Sequence, residues 1–143
     1  MSAPADGLLD TSTVVVLNRL TDPGHLPARP TISTITLAEL SVGPLVAGSS
    51  EERAARQAHV QQAEADFDPI PFDAAAARAF GRVAASLRAA GRKPAARALD
   101  ALIAAVAVAH DLPLYTVNPG DFVGIDDLDV RPVPHPGSSR LST

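Results

Sequence analysis

Arg97-Ala98-Leu99-Asp100-Ala101-Leu102-Ile103-Ala104-Ala105-Val106-Ala107-Val108-Ala109 is apolar nearly all the way round a helix, the pattern of a helix sunk in a core and not laid on a surface. One carboxylate, Asp100, interrupts it. A carboxylate in such surroundings is costly unless a cation or hydrogen-bond donors meet it, or else it takes up a proton. Leu99, Leu102, Ile103 and Val106 recur at i, i+3, i+4 and i+7 and predict a core-facing stripe. The plain account of Asp100 is an i, i+3 pair with Arg97. The rest of the chain supplies another.

Working outward from that helix, apolar runs of strand length alternate with helical patterns. Gly7-Leu8-Leu9-Asp10 reads as a short buried strand ending in an acid, and Thr11-Ser12-Thr13 offers capping hydroxyls for a helix over residues 14–20. A proline-broken loop leads to a second strand, Thr31-Ile32-Ser33, and Ser33 or Thr34 caps a helix that carries Glu39. Ser49-Ser50-Glu51-Glu52 has the spacing of a capping box and opens a polar helix to residue 65, a solvated outer helix or a partner surface. Phe67-Asp68-Pro69-Ile70-Pro71 reads as a third, edge-like strand, since its prolines cannot donate to a ladder. Asp73 caps a helix over residues 74–90, closed by Gly91, with Phe80, Val83, Ala84 and Leu87 on one face and Arg78 and Arg82 on the other. Pro94 suits the first residue of the organising helix. Residues 112–117 form a further strand, Asn118-Pro119-Gly120-Asp121-Phe122 a turn bearing a carboxylate, and residues 130–133 a last edge strand. We expect one domain over residues 1–134, a frayed tail over 135–143, and an α/β fold with a short, mostly parallel sheet and helices on both faces. Such sheets bind ligands beyond the carboxyl ends of their strands.

Composition narrows the chemistry. The chain has 143 residues, enough for one core; only 3% are aromatic, so that core is built from Ala, Val, Leu and Ile. The absence of cysteine excludes disulfides and thiolate metal sites. Neither a signal peptide nor a membrane-length apolar run is expected, which points to a soluble, cytoplasmic protein. A net charge of −4 argues against a generic nucleic-acid binder, yet charge is segregated. No acid lies between Ala74 and Leu99, where six of the twelve basic residues stand: Arg78, Arg82, Arg88, Arg92, Lys93 and Arg97.

Four acids become candidates for one site: Asp10 and Asp121 following strands, Glu39 and Asp100 on helices. Two carboxylates about 4 Å apart repel by about 4 kcal/mol at an effective dielectric near 20, so four together need shared protons or a divalent cation. Oxygen donors without cysteine or paired histidines select a hard ion, Mg²⁺ or Mn²⁺. That donor set suits metal-assisted phosphodiester hydrolysis.

Leu8-Leu9-Asp10-Thr11-Ser12 resembles the opening strand of PIN-domain ribonucleases. Thr36-Leu37-Ala38-Glu39-Leu40, Asp100-Ala101-Leu102-Ile103-Ala104-Ala105 and Thr116-Val117-Asn118-Pro119-Gly120-Asp121-Phe122 resemble that family's further acidic motifs, in the same order. Within it, the chain is most similar to the VapC toxins of toxin–antitoxin systems. The resemblance implies a PIN fold, a homodimer, and Mg²⁺- or Mn²⁺-dependent cleavage of RNA to 5′-phosphate and 3′-hydroxyl ends. It also implies a small VapB-like antitoxin partner. Carried over by position, Asp10, Glu39, Asp100 and Asp121 form the catalytic set, with Asp10, Asp100 and Asp121 as metal ligands and Ser12 and Asn118 in support. Val117 departs from the pattern, where many relatives carry an arginine.

Plainer readings stand beside these. Asp10 is a sound helix cap, Glu39 a solvated helix charge, Asp121 a turn residue, and His110 a cation at a helix C-terminus. The stretch 78–97 is either a solvated face or a track for RNA or an antitoxin, with Arg78, Arg82 and Arg97 as contacts. Two other functions use the same residues: a non-catalytic PIN-like binding module, and a Mg²⁺-dependent phosphatase. The second lacks the additional Asp that haloacid-type phosphatases place two positions after the first.

Overall fold

In the computed structural model, which describes residues 5–137, four strands form one sheet. They are β1 (Asp6–Leu9), β2 (Arg29–Thr31), β3 (Leu114–Thr116) and β4 (Val130–Pro132), in the order β2-β1-β3-β4 and all parallel. Five α-helices surround it: α1 (Thr11–Val16), α2 (Thr34–Val42), α3 (Ser50–Asp66), α4 (Ala74–Ala89) and α5 (Ala98–Ala109). None of the described helices is long and apolar enough to cross a membrane.

Strand alternation builds two cores, one on each face. Leu8 and Leu114 point to the side where α4 and α5 pack, with Phe122 and Ile125. Leu9, Tyr115 and Val117 point to the other, against Val14, Val16, Leu40, Val60 and Ala63 from α1, α2 and α3. Gly7 leaves room for this: a Cβ there would lie 2.5 Å from Cε1 of Tyr115 and 2.9 Å from Cβ of Pro27.

The organising helix is buried, and of the expected stripe Ile103 and Val106 lie in the core while Leu99 and Leu102 turn out of it. Ala101, Ile103, Ala104, Ala105, Val106 and Ala107 are buried, Leu102 only partly, and Leu99 is 49% exposed. The helix's main packing partner is α4, whose Ala76, Ala79, Val83 and Leu87 share this core. Pro94 opens a 3₁₀ turn, Pro94–Arg97, and the α-helix proper begins at Ala98.

Three other expectations are corrected. The segment 67–71 is not a strand of the sheet but a single parallel bridge, Ser33 to Ile70. Ile70 donates to Ile32 O at 2.9 Å and accepts from Thr34 N at 2.9 Å, and Pro69 and Pro71 beside it have no N–H to extend the ladder. The first helix is capped by Asp10 itself and not by the hydroxyls of 11–13, and it ends at Val16, passing into a 3₁₀ turn, Leu17–Arg19. At Ser49 the capping box is half formed: Ser49 Oγ accepts from Glu52 N at 3.1 Å, while Glu52 reaches one residue past the cap to Gly48 N, also at 3.1 Å. Glu52 spends its other oxygen on Arg56. Of the expected tail, residues 138–143 lie outside the described residues.

The chain leaves β1 for β2 on one side and later returns to β3 on the other, so strand order reverses between β1 and β3. The crevice beyond the carboxyl ends of these two strands is the natural ligand site of a parallel sheet.

Candidate acidic site

Asp10 occupies that crevice. It follows β1 directly, is 3% exposed, and serves as N-cap of α1. Each carboxylate oxygen accepts two hydrogen bonds: Oδ1 from Thr13 N (3.1 Å) and Thr13 Oγ1 (2.6 Å), Oδ2 from Ser12 Oγ (2.8 Å) and Thr116 Oγ1 (2.8 Å). Charge-assisted bonds of this kind are what make a buried carboxylate tolerable. The two threonines are themselves held from β3's end, since Val117 N donates to Thr13 Oγ1 (3.1 Å) and Asn118 N to Thr116 Oγ1 (2.9 Å). Thr116 thus ties Asp10 across the strand-order reversal.

Glu39 lies partly buried on α2, and Thr11 Oγ1, in the first turn of α1, donates to its Oε1 at 2.7 Å. Thr36 Oγ1, one helical turn before Glu39, is 3.0 Å from the same hydroxyl. Asp100 stands in the first turn of α5, and Asp121 in the 3₁₀ turn Pro119–Phe122 beyond β3. Arg97 lies between these last two, with Nη1 2.7 Å from Asp121 Oδ1 and 3.9 Å from Asp100 Oδ2.

The four acids share one electrostatic neighbourhood. Burial pushes Asp100 up to about 6, and the charges of Asp121, Asp10 and Glu39 push in the same direction, against a smaller opposing influence of Arg97. A site that raises an acid by burial and by three like charges is short of positive charge. The donor set, all oxygen, suits a hard divalent cation. Among the described residues, however, no three acidic or imidazole side chains stand close enough together to hold an ion as they are oriented. Asp10 is turned onto protein donors and Asp121 onto Arg97.

Of the expected supports, Ser12 bonds Asp10 through its hydroxyl, and Asn118 acts through its backbone N–H. Arg78 and Arg82 stand exposed on the outer face of α4 and make no contact with the four acids. His110 caps the C-terminus of α5, with Nε2 3.8 Å from Asp73 Oδ2. Thr13 and Thr116 are the residues that sequence reading missed. A threonine three positions after a capping acid was the only available signal for the first. For Thr116 there was none, because its partner lies 106 positions away.

Fold and site together define a single-sheet parallel α/β protein with an acidic crevice at its strand-order reversal. A family model for the PIN domain matches residues 8–127. The chain is 38% identical over 127 residues to ribonuclease VapC5 of Mycobacterium tuberculosis, covering 87% of this chain and 91% of that protein. It is also 38% identical over 101 residues to ribonuclease VapC8 of the same species, covering 71% and 89%. Its structure superposes on a chain of the M. tuberculosis VapBC-5 toxin–antitoxin structure with a TM-score of 0.78 at 34% identity, covering 91% and 100%. The chain belongs to the PIN-domain family.

Proposed function

We propose that this protein is a divalent-metal-dependent endoribonuclease, the toxin of a toxin–antitoxin pair. The observation that carries this reading is that Asp100, raised first by burial, also feels the charges of Asp121, Asp10 and Glu39 from three other segments, with Arg97 drawn to both Asp100 and Asp121. Support comes from relatives named as ribonucleases and from a likeness to a toxin–antitoxin structure.

On this reading Asp10, Asp100 and Asp121 would hold Mg²⁺ or Mn²⁺, which would supply Lewis acidity and offset charge developing on the phosphate. Asp10 is set by four hydrogen bonds, so an ion would reach one of its oxygens only by replacing one of those donors. Glu39, with Oε1 engaged by Thr11, uses Oε2 to orient the attacking water. Water adds at phosphorus and the sugar 3′ oxygen departs with a proton, leaving 5′-phosphate and 3′-hydroxyl ends.

An antitoxin is the proposed partner and a homodimer the proposed assembly. Val42, Leu45 and Val46 are exposed beside a 430 Å³ groove lined by Pro44, Leu45, Arg53 and Ala54. Apolar exposure of that kind marks an interaction surface. Incubation of the purified protein with total RNA, with Mg²⁺, Mn²⁺ or chelator, tests the catalytic reading. New 5′-phosphate ends that require the metal are expected. Intact RNA in Mn²⁺, together with tight binding to a small partner protein, would favour a non-catalytic binding module instead.

A further inference from the structure

Arg97 is at the wrong end of its helix. It is the N-cap residue of α5 and makes no capping hydrogen bond with its side chain, and a cation at a helix N-terminus opposes the macrodipole. Helix stability therefore does not account for it. Its guanidinium is instead spent on acids from two segments: Nη1 is 2.7 Å from Asp121 Oδ1 and 3.9 Å from Asp100 Oδ2. These are two of the three residues assigned above to the metal. Asp121 is turned onto Arg97, and among the described residues no three acids are gathered. The arginine side chain is 47% exposed, with Asp100 at 28% and Asp121 at 33%. Pairs this open are weak and exchange readily.

We infer that Arg97 is the resident counter-cation of the acidic crevice, holding Asp121 beside Asp100 until a divalent ion displaces it. Arg97 is thus a positioning residue for metal entry, and this rests on the metal-dependent reading above. The device has a physical logic. Two carboxylates left without a cation repel and swing apart, whereas a tethered single charge keeps them in register and is weak enough to yield to a double one.

The test is calorimetric titration of Mn²⁺ into the chelator-stripped, full-length protein, comparing wild type with Arg97→Gln and Arg97→Lys, each also melted with and without Mn²⁺. Loss of one exposed competing ion pair predicts that Arg97→Gln binds Mn²⁺ about fivefold more tightly. The same variant melts below wild type in chelator and closes that gap in saturating Mn²⁺. Arg97→Lys, which keeps the charge, stays near wild-type affinity. Equal Mn²⁺ affinities for wild type and Arg97→Gln, or weaker binding by the variant, overturn the role of Arg97 and leave the nuclease reading standing. Failure of every version to bind Mn²⁺ overturns both.

Discussion

Asp10 is buried and Asp100 only partly so, and their charges are met in opposite ways. Asp10 is fully met by protein donors, and Thr116, completely buried, spans two strands to reach it. Thr116→Val removes a donor from a charged acceptor and the acceptor of Asn118 N–H at nearly the same shape, so a loss of at least about 1.5–3 kcal/mol in urea unfolding is expected. Cleavage should fall with it, as Asp10 loses its orientation. Asp100 has no such donors, and its carboxyl is held up at about 6 instead of 3.8. The sign follows from linkage: the folded state binds this proton more tightly than the unfolded chain. In chelator, stability therefore rises as pH falls through about 6 and is lost as pH rises through the same window. Asp100→Asn should flatten that dependence and add about 1–2 kcal/mol at pH 7.5 in the metal-free protein, after allowance for solvent screening. It should also abolish RNA cleavage. Melts at pH 5 and pH 7.5, alongside a cleavage assay, check all three outcomes.

The elements were legible where one segment carried its own signals. α3 and α4 begin where Ser49 and Asp73 predict, each capping side chain accepting from the N–H three residues on. Gly91 follows α4 with φ +77°, the left-handed conformation that closes a helix. Expectation failed where an element depends on its partner. The segment 67–71 lacks the donors for a strand, and which face of α5 is buried depends on its packing against α4. β1 owes its seat to a missing side chain at Gly7. Gly7→Ala drives a methyl into Tyr115 and Pro27, and about 1–3 kcal/mol of destabilisation is expected from overpacking, read as a lower midpoint in urea.

For the whole molecule, the segregation of charge matters more than the sum of −4. If the exposed face of α4 guides RNA, the double variant Arg78→Gln, Arg82→Gln weakens RNA binding at low salt and flattens its salt dependence by about one to two phosphate contacts. Its fold and its Mn²⁺ affinity should be unchanged, since neither arginine touches the acids. Divalent ions should stabilise the folded protein in step with the logarithm of free ion concentration, by about 2.7 kcal/mol at a hundredfold excess over the dissociation constant. A thermal shift series in Mn²⁺ that is reversed by chelator measures this. Asp10→Asn and Asp100→Asn should each remove most of it.

By itself the sequence determined the class of fold and the order of most of its elements, and offered the four acids as candidates, because strand runs, caps and acidic motifs are local patterns that each segment carries alone. Only the tertiary structure decided who meets whom. Thr116 reaches Asp10 across 106 positions, and Arg97, readable only as a neighbour of Asp100, commits its shorter contact to Asp121, 24 positions on. The reason is physical: hydrogen bonds and ion pairs act over about 3 Å in space, and separation along the chain says nothing of that distance until the sheet has closed.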